Sequence, residues 1–246
     1  MPRMSDQPAP ALSFGETTIE ALIAAAASRF EAIREQPPTE LENDARARAS
    51  AIVGRNAHRV LDPPTGQWLQ RTATVLAVYQ TLGTWVDRSE LISVLRDAMV
   101  GPFKERMSDY LLNRFGISSE APKEAFQRIR DNFKARGEER FGKAFVYVQD
   151  VQDADRAFTN IHRCFFNDFF RANGSPEVTS IFCALDNVWV DALHEGDYGV
   201  RFERPTMLSQ GADACRFQFS KSAAPTDDAV RELGESEVRD VPTTRG

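Results

Sequence analysis

The sequence predicts an α+β fold, a helical N-terminal half packed on a C-terminal ββααββ unit with a small antiparallel sheet. Three observations predict it. Leu91, Leu95, Met99, Phe103, Met107, Leu111 and Phe115 recur every four residues, the mark of an apolar helix face. Past about residue 143 the pattern changes to short runs rich in β-branched and aromatic residues, "AFVYVQDV" and "DRAFTNIH". Between these and a second such pair, "GVRFERP" and "CRFQFS", lie two helical patterns separated at Asn173-Gly174.

Taken in order, residues 1–14 hold three prolines and no periodicity, and are expected to form a loose arm. Glu16 to Arg34 is Ala-rich and helix-favouring, and "QPP" at Gln36 to Pro38 ends it. A second helix is expected over about Glu40 to Arg55, a turn at "LDPPTG" (Leu61 to Gly66), and a third helix from Gln67 closed by Gly83. Asp87 and Glu90 have capping-box spacing ahead of the long periodic helix, which Pro102 should kink. Pro122 opens a fifth helix with Phe126, Ile129 and Phe133 on one side. These helices make a region over residues 15–142. The α+β region follows over 143–221 as part of the same domain, with Ser175 expected to cap its second helix and Pro176 in that helix's first turn. From residue 222 to 246 there is no aromatic residue and the charges are mixed, so a disordered tail is expected.

The chain of 246 residues is 42% hydrophobic and 27% charged, an ordinary globular composition long enough to bury a substantial core. The net charge of −6 and the lack of a basic stripe argue against a nucleic-acid partner. The stretch "ALIAAAA" is far shorter than the roughly 20 residues a bilayer span needs, and the acidic residues Asp6, Glu16 and Glu20 precede it where a signal peptide would be basic. No membrane association is expected. Three cysteines, an odd number without framework spacing, point to free thiols and a cytoplasmic setting. The oligomeric state is left open.

The chemistry-bearing stretch is "HRCFFNDFFRANGSPEVTSIFCALD", residues 162–186. On a helix, Cys164, Asn167, Asp168 and Arg171 fall on one face, with Phe165, Phe166, Phe169 and Phe170 around the rest. The Cys164 thiol therefore shares a polar stripe. In the next helix Cys183 lies off the apolar face and Asp186 at its edge, three residues apart and close enough to share a ligand. Cys215 alternates with Phe217 and Phe219, which reads as a core position. Each thiol taken alone also reads as an inert buried cysteine. Asp168 and Arg171 also read as a surface pair, and His162 as a strand end. All three cysteines and two of the three histidines nevertheless fall between residues 162 and 215. There is no Cys-x-x-Cys pair, nucleotide-binding loop, Gly-x-Ser-x-Gly or His-Glu-x-x-His.

The stretches "FTNIHRCFFNDFFRANGSPEVTSIFCALD" and "GVRFERPTMLSQGADACRFQFS" resemble the L-2-amino-thiazoline-4-carboxylic acid hydrolase family over roughly residues 144–220. The shared outline is a helix-opening cysteine, Cys-x-x-Asp on the next helix, Phe-x-Arg-Pro-Thr on a strand, and Cys-x-Phe-x-Phe after a glycine. The resemblance implies a hydrolase acting on a carbon–nitrogen bond of a small cyclic amidine-like acid, with ring opening to a carbamoyl-cysteine. Such chemistry suits a thiolate nucleophile, a carboxylate holding the amidinium and a histidine moving protons. The roles expected are Cys183 as nucleophile with Cys164 as the second choice, Asp186 on the cationic substrate and His162 as acid and base. Arg204, alternating with Val200 and Phe202, is expected to take a substrate carboxylate, with Asn167 and Cys215 also on the substrate. The partner is a small molecule, and neither a cofactor nor a metal is invoked. A non-catalytic module that senses a ligand or soft metal through the three thiols and His162 is the alternative, and a plain interaction protein a third reading.

Overall fold

The structure is a computed structural model that describes residues 18–195 and 198–222. The expected arm over residues 1–14 and all of the expected tail but Ser222 lie outside them. The N-terminal helices are α1 (Ile19–Arg29), α2 (Glu31–Arg34), α3 (Pro38–Asn56), α4 (Pro63–Leu82), α5 (Arg88–Glu105), α6 (Met107–Phe115) and α7 (Ala125–Phe141). The C-terminal part contains β1 (Val146–Gln152), β2 (Arg156–Arg163), α8 (Phe165–Ala172), α9 (Thr179–Glu195), β3 (Val200–Glu203) and β4 (Cys215–Lys221). This is the expected α+β arrangement, ββααββ unit included.

The four strands form one antiparallel sheet in the order β1-β2-β4-β3. Alternation divides its two faces. Tyr147, Ala157, Thr159, Ile161, Cys215, Phe217 and Phe219 are buried on one side, while Val148, His162 and Arg201 are exposed on the other. Helix α7 packs on the buried face, and α9 packs on β3 and on α5, α6 and α8. Phe133 of α7 anchors the layer, its ring 5.3 Å from Phe217 and 5.0 Å from Phe219.

Several boundaries differ from expectation. The first expected helix divides at Phe30, whose backbone is extended. "LDPPTG" is not a free turn: Asp62 caps α4 by accepting from Thr65 N at 2.9 Å, and Pro63 and Pro64 occupy the first turn. Those positions need no helical N–H, so the proline pair costs nothing there. The long periodic segment breaks at Arg106, while Pro102 stays inside α5. A helix turns about 100° per residue, so positions four apart drift by about 40° a step, and a straight helix could not keep all seven on one side. The break resets the face, and Leu91, Leu95, Met99, Met107, Leu111 and Phe115 are all buried. Asp87 caps α5 as expected. Ser175 makes no side-chain cap, and a 3-10 turn at Pro176–Val178 leads into α9 instead.

Asp62 also ties the helical region to the sheet. Its second carboxylate oxygen accepts from Lys143 N at 2.6 Å, three residues ahead of β1. Gly142 beside it has φ 73° and ψ −169°, a conformation open essentially to glycine alone, and a Cβ there would overlap the Asp62 carboxylate. Gly142→Ala is therefore expected to destabilise the protein by about 2 kcal/mol or more. Urea denaturation checks this, and an unchanged midpoint and slope would contradict it.

Candidate active site

An interior cleft of about 830 Å³, open space at its mouth included, lies between the buried face of the sheet and helices α6, α7 and α9. Its floor is the row Tyr147, Ile161 and Cys215, in register across β1, β2 and β4. Gly137 of α7 lets the Tyr147 ring lie against that helix, since a Cβ would come within 2.8 Å of it. Helix α9 supplies Phe182, Cys183, Asp186 and Trp189, and the segment leading into α8 supplies Cys164. Helices α6 and α7 supply Tyr110, Arg114, Phe133 and Arg140.

Cys183 and Asp186 share one face of α9 because they are three residues apart. The Cys183 sulfur lies 3.8 Å from Ser209 Oγ. Asp186 accepts from Arg204 Nη1 at 3.1 Å and from the Trp189 indole at 3.4 Å. Arg204, just beyond β3, also donates through Nη2 to Asn187 Oδ1 at 2.8 Å and to the Cys183 carbonyl at 3.5 Å. Its side chain is only 10% exposed and stacks 5.5 Å over the Phe217 ring.

Burial dominates the electrostatics. It pushes the Cys183 thiol up to about 11, helped by the Asp186 carboxylate and opposed by Ser209 and Arg204. The same desolvation holds Cys164 well above the usual thiol range, with the neighbouring Cys183 adding to it and the amides of Asn167 and Phe166 opposing. Cys215 is also raised by burial, against the Leu208 amide that donates to its sulfur at 3.2 Å. Asp186 is raised by burial although Arg204, the Trp189 indole and Arg114 favour its charged form. All three thiols are thus predominantly protonated at neutral pH in the free protein.

The expected site residues divide clearly. Cys183, Cys164, Cys215, Asp186 and Arg204 line the one cleft. His162 does not: Ile161 faces inward, strand alternation turns its neighbour to the other face, and His162 is exposed there. Its expected acid and base role is corrected accordingly, and His162→Ala should leave turnover and its pH profile unchanged in a stopped assay across pH 6 to 9. Loss of the acidic or basic limb of that profile in the variant would restore the role. Asn167 is a buried residue of α8 outside the cleft lining, so it is not placed to touch a substrate there. Arg204 is in the cleft but already engaged with Asp186 and Asn187. Arg114, Arg140, Tyr110 and Tyr147 were not anticipated. Tyr110, Leu111, Arg114 and Phe115 fall at i, i+1, i+4 and i+5, and an arginine within that apolar face was the available signal.

Among the described residues, no three His, Cys, Asp or Glu side chains are grouped to hold a metal ion, so the soft-metal alternative is not favoured. No helix of the described residues is long and apolar enough to cross a membrane.

Fold and cleft together define an α+β protein whose interior site is lined by thiols, arginines and aromatic rings. The model of the L-2-amino-thiazoline-4-carboxylic acid hydrolase family matches residues 68–219, and the chain belongs to this family. The match starts at Trp68 in α4, well before the C-terminal motifs, and spans every residue that lines the cleft. No curated protein and no solved structure matches the chain significantly.

Proposed function

We propose that the protein is a hydrolase that opens the ring of a small cyclic amidine-like acid of the 2-aminothiazoline-4-carboxylate type. The observation that carries this reading is the convergence of Cys183, Asp186 and Arg204 on one buried cleft in a chain of this family. Asp186 holds the amidinium nitrogens, and the Cys183 thiolate adds to the carbon between them. Burial that disfavours the free thiolate favours its attack once a cation is bound beside it.

The leaving group decides between two ring openings, both of which consume one water. Breaking the ring carbon–nitrogen bond gives an S-carbamoyl-cysteine with a free amine, whereas breaking the carbon–sulfur bond gives an N-carbamoyl-cysteine with a free thiol. An amine leaves only after protonation, and His162, the acid expected to protonate it, lies outside the cleft. A thiol ionises near about 8.5 and leaves as the thiolate. Carbon–sulfur opening is therefore favoured, which revises the carbon–nitrogen bond inferred from the resemblance. In the first step Cys183 sulfur bonds to the ring carbon, the ring sulfur departs as thiolate, and an isothiouronium adduct remains. Water then adds to that carbon, the bond to Cys183 breaks, and the N-carbamoyl product leaves with the water oxygen.

Incubating the purified protein with 2-aminothiazoline-4-carboxylate tests the proposal, with product thiol followed by a disulfide reagent. Equimolar thiol and urea-type product are expected. Free amine without thiol would return the reading to carbon–nitrogen cleavage, and no product at all would overturn the reaction class.

A further inference from the structure

Arg114, in the last turn of α6, is only 8% exposed and lines the cleft. Its guanidinium lies between two rings, 5.4 Å from the centre of Phe115 and 5.6 Å from that of Phe141. Nη1 donates to the Arg136 carbonyl at 2.6 Å, Nε has no partner, and no carboxylate of the described residues pairs with it. A buried cation with an unused donor is costly unless an anion completes it. Arg140 adds a second positive charge to the same wall, over the Tyr110 ring at 5.6 Å. Against the three arginines of the cleft, Asp186 is the one carboxylate among its described lining residues, and Arg204 already holds it. Arg114 on α6 and Asp186 on α9 thus present opposite charges to the one cleft.

We propose that Arg114 is the carboxylate receptor of the cleft and that it restricts the substrate to ring-bearing acids whose carboxylate points away from Asp186. This rests on the ring-opening reading and deepens it: Asp186 takes the amidinium, Arg114 the acid, and the aromatic walls the ring between them. The planar guanidinium, with Nε free, suits a carboxylate better than a point charge would. Arg204, expected from the sequence to fill this role, keeps Asp186 in place instead.

Isothermal titration of the parent protein, Arg114→Gln, Arg114→Lys and Arg204→Gln tests this, with 2-aminothiazoline-4-carboxylate, its methyl ester and benzoate as ligands. The parent should bind the acid about 10- to 100-fold more tightly than the ester. Arg114→Gln should bring the acid to the ester's affinity and leave the ester unchanged, and Arg114→Lys should retain part of the preference. Arg204→Gln should keep the acid-over-ester ratio. A preference that survives Arg114→Gln, or that disappears only in Arg204→Gln, overturns the assignment while leaving the ring-opening function intact. Should Arg114→Gln fail to fold, the parent and Arg114→Lys decide: an equal affinity for acid and ester in the parent overturns it. A parent that does not turn over the ring acid but binds benzoate, with loss in Arg114→Gln, sinks the function and supports the receptor. A parent that binds none of the three ligands overturns both.

Discussion

Replacing Cys183 by serine is expected to lower kcat for ring opening by on the order of 10³-fold or more, with thermal stability near that of the parent. The substitution changes one atom in a partly exposed position whose sulfur, among the described residues, has Ser209 Oγ as its hydrogen-bond partner at 3.8 Å. A serine hydroxyl ionises far less readily than a thiol, and no histidine lines the cleft to activate it. The substrate's affinity should change little, because Asp186 and Arg114 remain. Cys164→Ser should cost much less, since Cys164 precedes α8 and does not sit on the α9 face that carries Asp186, and burial holds its thiol well above the usual range. Full turnover by the Cys183 variant would move the nucleophile to another group.

Asp186→Asn is expected to push two observables in opposite directions. Its carboxylate is the second cause, after burial, that pushes the Cys183 thiol up to about 11. At pH 7 a group with that pKa is only roughly one part in 10⁴ ionised. Removing the negative charge, with Arg204 left as a cation beside the sulfur, should lower the thiol pKa and speed alkylation by iodoacetamide at a fixed pH. The substrate's amidinium, however, loses its counter-charge, so KM should rise by about 10- to 100-fold. A cationic ring analogue seated on Asp186 of the parent should also lower the thiol pKa, read by thiolate absorbance against pH. A more reactive thiol in a poorer enzyme, with the midpoint of thermal melting unchanged, separates this from general unfolding of the site, which would lower that midpoint. An unchanged thiol pKa in both the variant and the analogue complex would remove Asp186 from the account.

The fold was legible because its signals are local. The period-four apolar row and the capping Asp87 mark α5 and α6, and the alternating runs mark all four strands. What was misread depended on context. The Pro63-Pro64 pair looks like a turn until Asp62 is seen to cap a helix with it. At the site, scarce cysteines and Asp186 gathered within one stretch pointed to residues that line one cleft in the structure. His162 was misplaced although its strand carried the answer: Ile161 pairs with the inward-facing Cys215, so the next residue must face out. Asn167 was drawn in by helical spacing, which gives a face but not what that face meets. Arg114 comes from another helix some fifty residues earlier than Cys164 in sequence. Only packing of α6 against α9 brings it to the thiols.

The central claim is that Cys183 bonds to the ring carbon during turnover. Rapid acid quench during the first turnovers, followed by intact-protein and peptide mass measurement, tests it most directly. The account predicts a protein species heavier by the mass of one whole substrate molecule, because ring opening expels nothing, carried on the peptide that contains Cys183. That species should decay as the N-carbamoyl product appears. Steady turnover with no adduct at any quench time, or an adduct confined to the peptide of Cys164, would contradict it.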